Sequence, residues 1–429
     1  MKMEVWAMSY SEQMLQALND SDLSSANELF TQALRHDDED TLYSLGEELY
    51  ALGFLEQAQQ IYLKLLKAYP NEDELKTVLA DIAVSNDQAD KALNYLQSIK
   101  PTSEAYVESL LTQADVYQTL GMPEVSEAKL NQAQQLAPDE PAIWFGLGEL
   151  YLSLGRYAEA VPQYQKLLAQ GEDQFAGVLI QQRLGASLAG MGAYEEAVTA
   201  YQQLPAEALD KDTNFQIGFL YLQLKDYQKA IDSLQQLAQA DPDYTSLYPY
   251  LATAQEKMGD LQGALLTVQT GIAHDEYNEV LYQRGFDLAT KLDQEEIAQK
   301  YLQKLLAINP DNQTAVLALS NLYLKQHRYQ AVRDLLSAHM PDQQDPQMLW
   351  NLAQAQAALE DYDGAKENYL LAYNSLKTDP EFLKDLIAFF QEMGLVQEAI
   401  LALKNYVKLV PDDFERQELL NELEDEQQL

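Results

Sequence analysis

The chain has no cysteine, few histidines and few basic residues, and each shortage excludes a class of function. Without cysteine it can form no disulfide, thiolate nucleophile or thiolate-bound zinc site. The four histidines are far apart, and none has the i, i+4 spacing that puts two metal ligands on one helical face. We therefore expect no metal site and no cofactor.

Basic residues are outnumbered by acidic ones. The chain has 28 Lys and Arg against 68 Asp and Glu, a formal net charge of −40, and such a field repels phosphate backbones and anionic lipid surfaces. It also lacks an apolar run of about 18 residues and an N-terminal apolar segment with a small-residue cleavage site. We predict a cytoplasmic protein with no nucleic-acid partner and no membrane insertion.

What the chain does contain is a repeat. Apolar residues make up 47% of it, enough for a packed core, and a small residue recurs at steps of 32 to 37 positions, most often 34. The residues at this position are Ala26, Ala58, Ala92, Ser126, Ala160, Ala197, Ala230, Ala264, Ala298, Val332, Ala365 and Ala399.

The internal pattern of each unit resembles the tetratricopeptide repeat. One unit shows it most fully, with Trp144, Leu147, Gly148, Tyr151, Gly155, Tyr157, Ala160 and Tyr164. This resemblance implies an all-α fold, a right-handed superhelical solenoid of about twelve helix-turn-helix repeats with a concave face. The style of RYAEAVPQYQKLL and DYQKAIDSLQQL is similar to that of cytosolic Firmicutes proteins of the same family.

Small residues have two predicted roles in the repeat. Gly148 and Ala160 are expected where helices approach closely, since a larger side chain would hold them apart. Gly155 is expected at the end of the first helix, where the left-handed conformation is common. Repeat nine departs from the pattern, because Phe286 and Asp293 replace the small residues.

Irregular spacing predicts the domain organisation. The one step of 37 residues contains LAQGEDQFAGVLIQQ (168–182), which we interpret as a joint between repeats 1–5 (7–174) and repeats 6–12 (178–412). The polar stretch 413–429 is predicted to be a capping helix, with a docking tail as the alternative. Early prolines at Pro101, Pro205 and Pro341 predict shortened second helices.

Catalytic motifs are missing from the sequence. It has no GxGxxG, P-loop or GxSxG motif, and no set of titratable residues with matched acid and base roles stands out. We therefore predict that the protein is not an enzyme.

A row of acidic residues is the main candidate for partner binding. The residue after the first small position of repeats two to five is Glu47, Asp81, Asp115 or Glu149, and in this family it should face the concave side. Four carboxylates in one row suit Lys or Arg side chains of a partner. The alternative is that a chain of this charge scatters carboxylates over every surface.

Aromatic residues at neighbouring inner positions are the second candidate. They are Tyr43, Phe145, Phe215, Phe219 and Trp350, and aromatic side chains often dominate the energy of interfaces. The alternative is that they are buried against adjacent helices. Trp144, at the family's packing position, is predicted to be core.

These features favour a non-catalytic scaffold or adaptor whose acidic and aromatic groove binds a basic and apolar, or amphipathic, segment of another protein. An alternative is a peptide-responsive regulatory receptor that controls a partner protein. Such receptors usually carry an N-terminal effector domain, whereas the first repeat here begins by about residue 7. A clamp for acidic chaperone tails needs inner Lys and Asn residues, which the inner positions do not supply.

Overall fold

The structure, a computed structural model, describes residues 8–340 and 345–426. These residues form twenty-five α-helices, two short 3₁₀ turns and one two-stranded hairpin, which confirms the predicted all-α repeat fold. The chain divides into two compact units, Met1–Ala208 and Leu209–Leu429. The predicted repeat start at residue 7, Pro341 and the last three residues of the predicted cap lie outside the described residues.

The first unit contains six helix pairs, each made of an odd-numbered first helix and an even-numbered second helix. They are α1 (Tyr10–Asn19), α2 (Leu23–His36), α3 (Glu39–Ala51), α4 (Leu55–Ala68), α5 (Asp73–Ser85), α6 (Ala89–Gln97), α7 (Tyr106–Thr119), α8 (Pro123–Leu136), α9 (Pro141–Ser153), α10 (Tyr157–Ala169), α11 (Ile180–Gly190) and α12 (Tyr194–Gln202). A hairpin of β1 (Gln174–Phe175) and β2 (Val178–Leu179) joins α10 to α11, and a 3₁₀ turn follows α12 (Ala206–Ala208).

The second unit contains six further pairs and one final helix. They are α13 (Lys211–Gln223), α14 (Tyr227–Ala240), α15 (Tyr248–Lys257), α16 (Leu261–His274), α17 (Glu279–Lys291), α18 (Glu295–Ile308), α19 (Gln313–Lys325), α20 (Tyr329–His339), α21 (Pro346–Ala358), α22 (Tyr362–Leu376), α23 (Pro380–Glu392), α24 (Val396–Leu409) and α25 (Phe414–Glu426). A 3₁₀ turn, Thr245–Leu247, precedes α15.

In several helix pairs the two helices meet at a glycine that leaves no room for a side chain. A Cβ atom built on Gly148 would lie 2.8 Å from Cε1 of Tyr164 on the next helix, closer than carbon atoms pack. A Cβ atom built on Gly185 would likewise lie 3.0 Å from Cε1 of Tyr201. The predicted contact at Gly148 is therefore confirmed. Trp144 is also core as predicted, being 5% exposed with its Nε1 donating to the Pro138 carbonyl at 3.0 Å.

The turn after each first helix uses one backbone conformation throughout. One residue per repeat has a positive φ there, and in half of the repeats it is not glycine. The twelve residues are Ser21, Gly53, Asp87, Gly121, Gly155, Gly192, Lys225, Gly259, Asp293, His327, Glu360 and Gly394. Asp293, a predicted departure from the repeat pattern, therefore adopts the same turn as the glycines.

Three second helices are short. α6 and α12 have nine residues and α20 has eleven, whereas the other second helices have 13 to 15. The shortening predicted from Pro101 and Pro205 is confirmed, and α20 ends at His339, just before the undescribed Pro341.

The boundary between the compact units does not coincide with the predicted joint. Segment 168–182 contains the β1–β2 hairpin and lies inside the first unit, which extends to Ala208. Phe175 of this hairpin packs on Phe145 with ring centroids 5.0 Å apart. A joint at 168–182 stays a prediction.

The final helix, α25, packs on the core of the last repeats through Leu419, Leu420 and Leu423. Apart from the exposed Phe414 at its start, its remaining surface is polar and largely acidic. A capping role for 413–429 stays a prediction.

We predict that Gly148→Leu lowers the free energy of unfolding by more than about 2 kcal/mol, because the leucine must displace the Tyr164 ring. Urea denaturation followed by circular dichroism measures the change. The control is Ala158→Leu, which adds the same side chain at an exposed position of α10. Equal midpoints for Gly148→Leu and the parent would contradict the contact.

We also predict that Glu360→Gly raises the free energy of unfolding by up to about 1 kcal/mol, since glycine relieves the left-handed strain at φ 63°. Thermal or urea denaturation tests this. Glu367→Gly, in the exposed interior of α22, is the matched control and should lower stability by about 1 kcal/mol. A loss of stability for Glu360→Gly like that for Glu367→Gly would show that the turn carries no strain.

Candidate partner-binding surface

The first helices of the first unit carry mostly negative charge. Their basic residues are Lys76 and Arg183, and both already have acidic partners: Lys76 Nζ lies 2.5 Å from Asp73, and Arg183 Nε lies 3.0 Å from Glu149. Their acidic residues are Glu12, Glu39, Asp40, Glu47, Glu48, Asp73, Glu74, Asp81, Glu108, Asp115 and Glu149. These helices therefore present unneutralised carboxylates to any partner.

Two members of the predicted row, Asp81 and Asp115, lie on the neighbouring first helices α5 and α7. Burial raises the pKa of Asp81 to about 6, and the nearby charges of Glu108 and Asp115 add to the increase. The Asp115 side chain remains accessible to water, but the protein around it displaces enough solvent to raise its pKa as well. The charged form of Asp81 is thus poorly hydrated and lacks a counter-charge, which favours binding of a cation, and this effect is smaller at the exposed Asp115.

Glu47 is exposed on α3, near Tyr43 and Tyr62. Its charge adds to the burial that raises the pKa of Tyr43. On the same helix, burial raises the pKa of Tyr50, and the charge of Asp81 on α5 adds to the increase. Tyr50 and Asp81 therefore lie close to one another.

Glu149, the fourth member of the row, is already occupied within the chain. It accepts a hydrogen bond of 2.7 Å from the Tyr164 hydroxyl and pairs with Arg183 of α11. Its charge is therefore partly neutralised, unlike that of Glu47. Sequence reasoning missed Arg183, although it is one of two basic residues on these first helices, and that rarity was the available signal.

The aromatic candidates of the first unit are half-buried. Tyr43 packs edge-on against Tyr62, with ring centroids 6.2 Å apart. Phe145 is partly covered by Phe175 of the hairpin, so the chain itself occupies one side of its ring. Both rings therefore keep only part of their surface free for a partner.

In the second unit, Phe215 and Phe219 of α13 join an aromatic cluster. The ring centroid of Tyr250 on α15 lies 5.4 Å from each of them, and Tyr244 lies 5.4 Å from Phe215. Sequence reasoning did not single out these tyrosines, because most tyrosines of the chain follow the packing pattern of the repeat. The four rings are half-buried.

Trp350 is held by the chain's own residues. Its Nε1 donates to Oδ2 of Asp385 at 2.7 Å, and its ring packs edge-on against Phe382 with centroids 5.5 Å apart. The same Asp385 oxygen accepts from the Tyr369 hydroxyl at 2.6 Å. Only the half-exposed remainder of the indole is available to a partner.

Two other kinds of site were sought among residues 8–340 and 345–426. No three His, Asp or Glu side chains there are placed to hold one metal ion. No helix in the same ranges is both long and apolar enough to span a bilayer.

Antiparallel helix pairs with a recurring small contact, repeated about every 34 residues, define a tetratricopeptide repeat protein. Models of tetratricopeptide repeats match residues 212–244, 279–312 and 296–357. Models described as YpiA-like match 118–172, for tetratricopeptide repeats, and 346–413, for C-terminal tetratricopeptide repeats.

The TPR repeat-containing protein YpiA of Bacillus subtilis (strain 168) is 37% identical over 378 residues, which are 88% of this chain and 89% of that protein. The chain therefore belongs to the YpiA-like family of tetratricopeptide repeat proteins. The family resemblance stated from the sequence is thus confirmed.

Solved structures with a similar repeat are more distant. The C-terminal part of a TPR repeat-containing protein from Cytophaga hutchinsonii has a TM-score of 0.44 and 14% identity, over 63% of this chain and 97% of that chain. The Cut9–Hcn1 hetero-tetramer of the APC/C has a TM-score of 0.34 and 14% identity, over 98% of each chain. Neither likeness bears on function.

We predict that Asp81→Asn stabilises the protein at pH values above the pKa that the Asp81 carboxyl has in the folded parent. Because that pKa is about 6 and the ordinary value is 3.8, the parent loses stability as the pH rises through this interval and regains none above it. The free energy of unfolding of the variant should exceed that of the parent by about 2 to 3 kcal/mol at neutral pH. In acid the two values should be equal.

Urea denaturation of both proteins across this pH range measures the difference. Asp90→Asn, on the exposed surface of α6, removes the same charge as a control. A difference between Asp81→Asn and the parent that does not change with pH would contradict the cause given for the shift.

Proposed function

We propose that the protein is a non-catalytic cytoplasmic adaptor, and that the first helices of its first unit bind a basic and apolar segment of a partner protein. One observation carries the proposal: Glu47, Asp81 and Asp115 follow one another on α3, α5 and α7. The two basic residues among all first helices of this unit, Lys76 and Arg183, are already paired. Tetratricopeptide repeat proteins generally mediate protein–protein interaction, which supports an adaptor.

The electrostatics favour a positively charged partner. A carboxylate that is short of water gains more from a cation than a fully solvated one does, because less hydration is lost on binding. Asp81 is in this state, whereas Asp115 has a raised pKa but keeps an exposed side chain. Glu149 contributes less, since a partner must compete with Arg183 and Tyr164 for its oxygen.

An aromatic group beside the row explains the apolar part of the proposed segment. Tyr43 lies one helical turn before Glu47 on α3 and is half-buried. The Phe215, Phe219 and Tyr250 cluster of the second unit is a separate aromatic candidate. Half-exposed rings can bury further area on binding, and such residues are frequent anchors of interfaces.

We predict that the variant Glu47→Gln, Asp81→Asn, Asp115→Asn, Glu149→Gln binds a basic amphipathic peptide about tenfold more weakly than the parent at low salt, since each lost pair contributes up to about 1 kcal/mol. Fluorescence anisotropy of a labelled Lys–Leu peptide measures the affinity. The loss should shrink as salt rises, because the Debye length falls to about 8 Å at physiological ionic strength.

A second quadruple variant separates the row from the overall charge. Glu56→Gln, Asp90→Asn, Glu124→Gln and Glu196→Gln remove four charges from exposed positions of the second helices of the same unit. Its affinity should stay within about twofold of the parent, as removing distant surface charges weakens binding little. Equal losses of affinity for the two quadruple variants would show that the row is only a solvated acidic surface.

A further inference from the structure

A small cavity opens where the first helix of repeat two meets the start of repeat three. It has a volume of about 220 Å³ and is formed by α3, the end of α4 and the start of α5. It combines an apolar base, two tyrosines and four carboxylates: Leu65, Leu75, Tyr43, Tyr69, Glu39, Asp40, Glu72 and Glu74.

The base and walls of this cavity are apolar and aromatic. Leu65 and Leu75 are 3% and 2% exposed, so they close the bottom. Tyr69, just after α4, is 49% exposed, and the half-buried Tyr43 is held by its edge-on contact with Tyr62. An exposed tyrosine at the mouth of an apolar cavity leaves a ring face for a ligand.

The carboxylates around the cavity have no counter-charge in the part of the chain that the structure describes. None of Glu39, Asp40, Glu72 and Glu74 forms an ion pair there, whereas the adjacent Asp73 is held by Lys76 at 2.5 Å. The charges of Glu74 and Glu72 reach the Tyr43 hydroxyl, since they add to the effects of burial and Glu47 that raise its pKa.

Helix geometry explains part of this arrangement. Glu39, Asp40 and Glu74 stand in the first turns of α3 and α5, where the helix dipole favours acidic side chains. The dipole does not require two tyrosines and an apolar base beside them. The combination of an aromatic face, an apolar base and an acidic rim is the one that recognises an organic cation.

We propose that this cavity holds a lysine or arginine side chain of the partner, with its aliphatic stem on Leu65 and Leu75, its cationic head against the tyrosine rings, and Glu72 and Glu74 as counter-ions. The inference rests on the proposed function and names one anchoring point for it. At about 220 Å³ the cavity is below the roughly 300–1,000 Å³ of small-molecule sites, which suits one side chain.

Single-residue probes test the cavity apart from the acidic row. The probes are the Nα-acetyl methylamides of lysine, arginine and norleucine, and norleucine keeps an aliphatic stem without the charge. Dissociation constants come from ligand-observed NMR titration of the full chain. The lysine and arginine probes should bind at least about fivefold more tightly than norleucine, as expected for a cation beside aromatic and acidic groups.

Variants at exposed positions make the test specific. Glu72→Gln with Glu74→Gln should weaken the lysine and arginine probes about fivefold, and Tyr69→Leu about threefold. The matched control, Glu48→Gln with Glu56→Gln, removes two exposed charges outside the cavity and should change binding less than about twofold. Circular dichroism confirms that each variant is folded.

Three results would overturn the inference: no binding of the cationic probes at millimolar concentration, equal binding of norleucine, or equal effects of the cavity and control variants. If the basic peptide responds to the quadruple row variant but not to the cavity variants, the cavity inference fails and the adaptor proposal stands. If the probes bind at the cavity while the peptide ignores the row, the reverse holds.

Discussion

The close approach of the two helices in each pair is the contact on which the rest of the structure depends. At Gly148 a single added carbon would lie 2.8 Å from the Tyr164 ring, so the tyrosine fills the space that the missing side chain leaves. A tyrosine packs against a glycine in the same way at Gly46 with Tyr62 and at Gly185 with Tyr201. Because the stack is built from nearest-neighbour contacts, each closed pair sets the surface on which the next one packs.

Stacking at a constant period also creates the proposed binding surface. Residues one period apart fall on adjacent first helices, so an acidic residue at one position of the repeat becomes a row of like charges. The row costs stability, as the raised pKa of Asp81 shows. Perturbed pKa values cluster at functional sites, which supports the proposed binding surface. At Glu149 the chain supplies the cation itself, through Arg183.

The turn between the two helices tolerates more sequence variation than the contact does. Lys225 and Glu360 adopt the conformation that glycine adopts at Gly155. A left-handed conformation costs a residue other than glycine only about 1 to 2 kcal/mol, and neighbouring contacts can offset that cost. Repeat nine shows a second kind of tolerance. Phe286 stands where the small residue is expected, and the adjacent Gly285 makes room for Tyr301 instead, with a built Cβ 2.9 Å from that ring.

The period, the helix pairs, the contact at Gly148 and the core position of Trp144 could all be predicted from sequence, since they follow from local patterns that repeat in register. The pairing of Glu149 with Arg183, the covering of Phe145 by Phe175 and the support of Trp350 by Asp385 could not. Each joins a residue of one repeat to a residue outside that repeat through side-chain direction, which periodicity does not specify. For the same reason, the sequence alone determined that acidic residues recur on the first helices, and only the tertiary structure decided which of them lack a counter-charge.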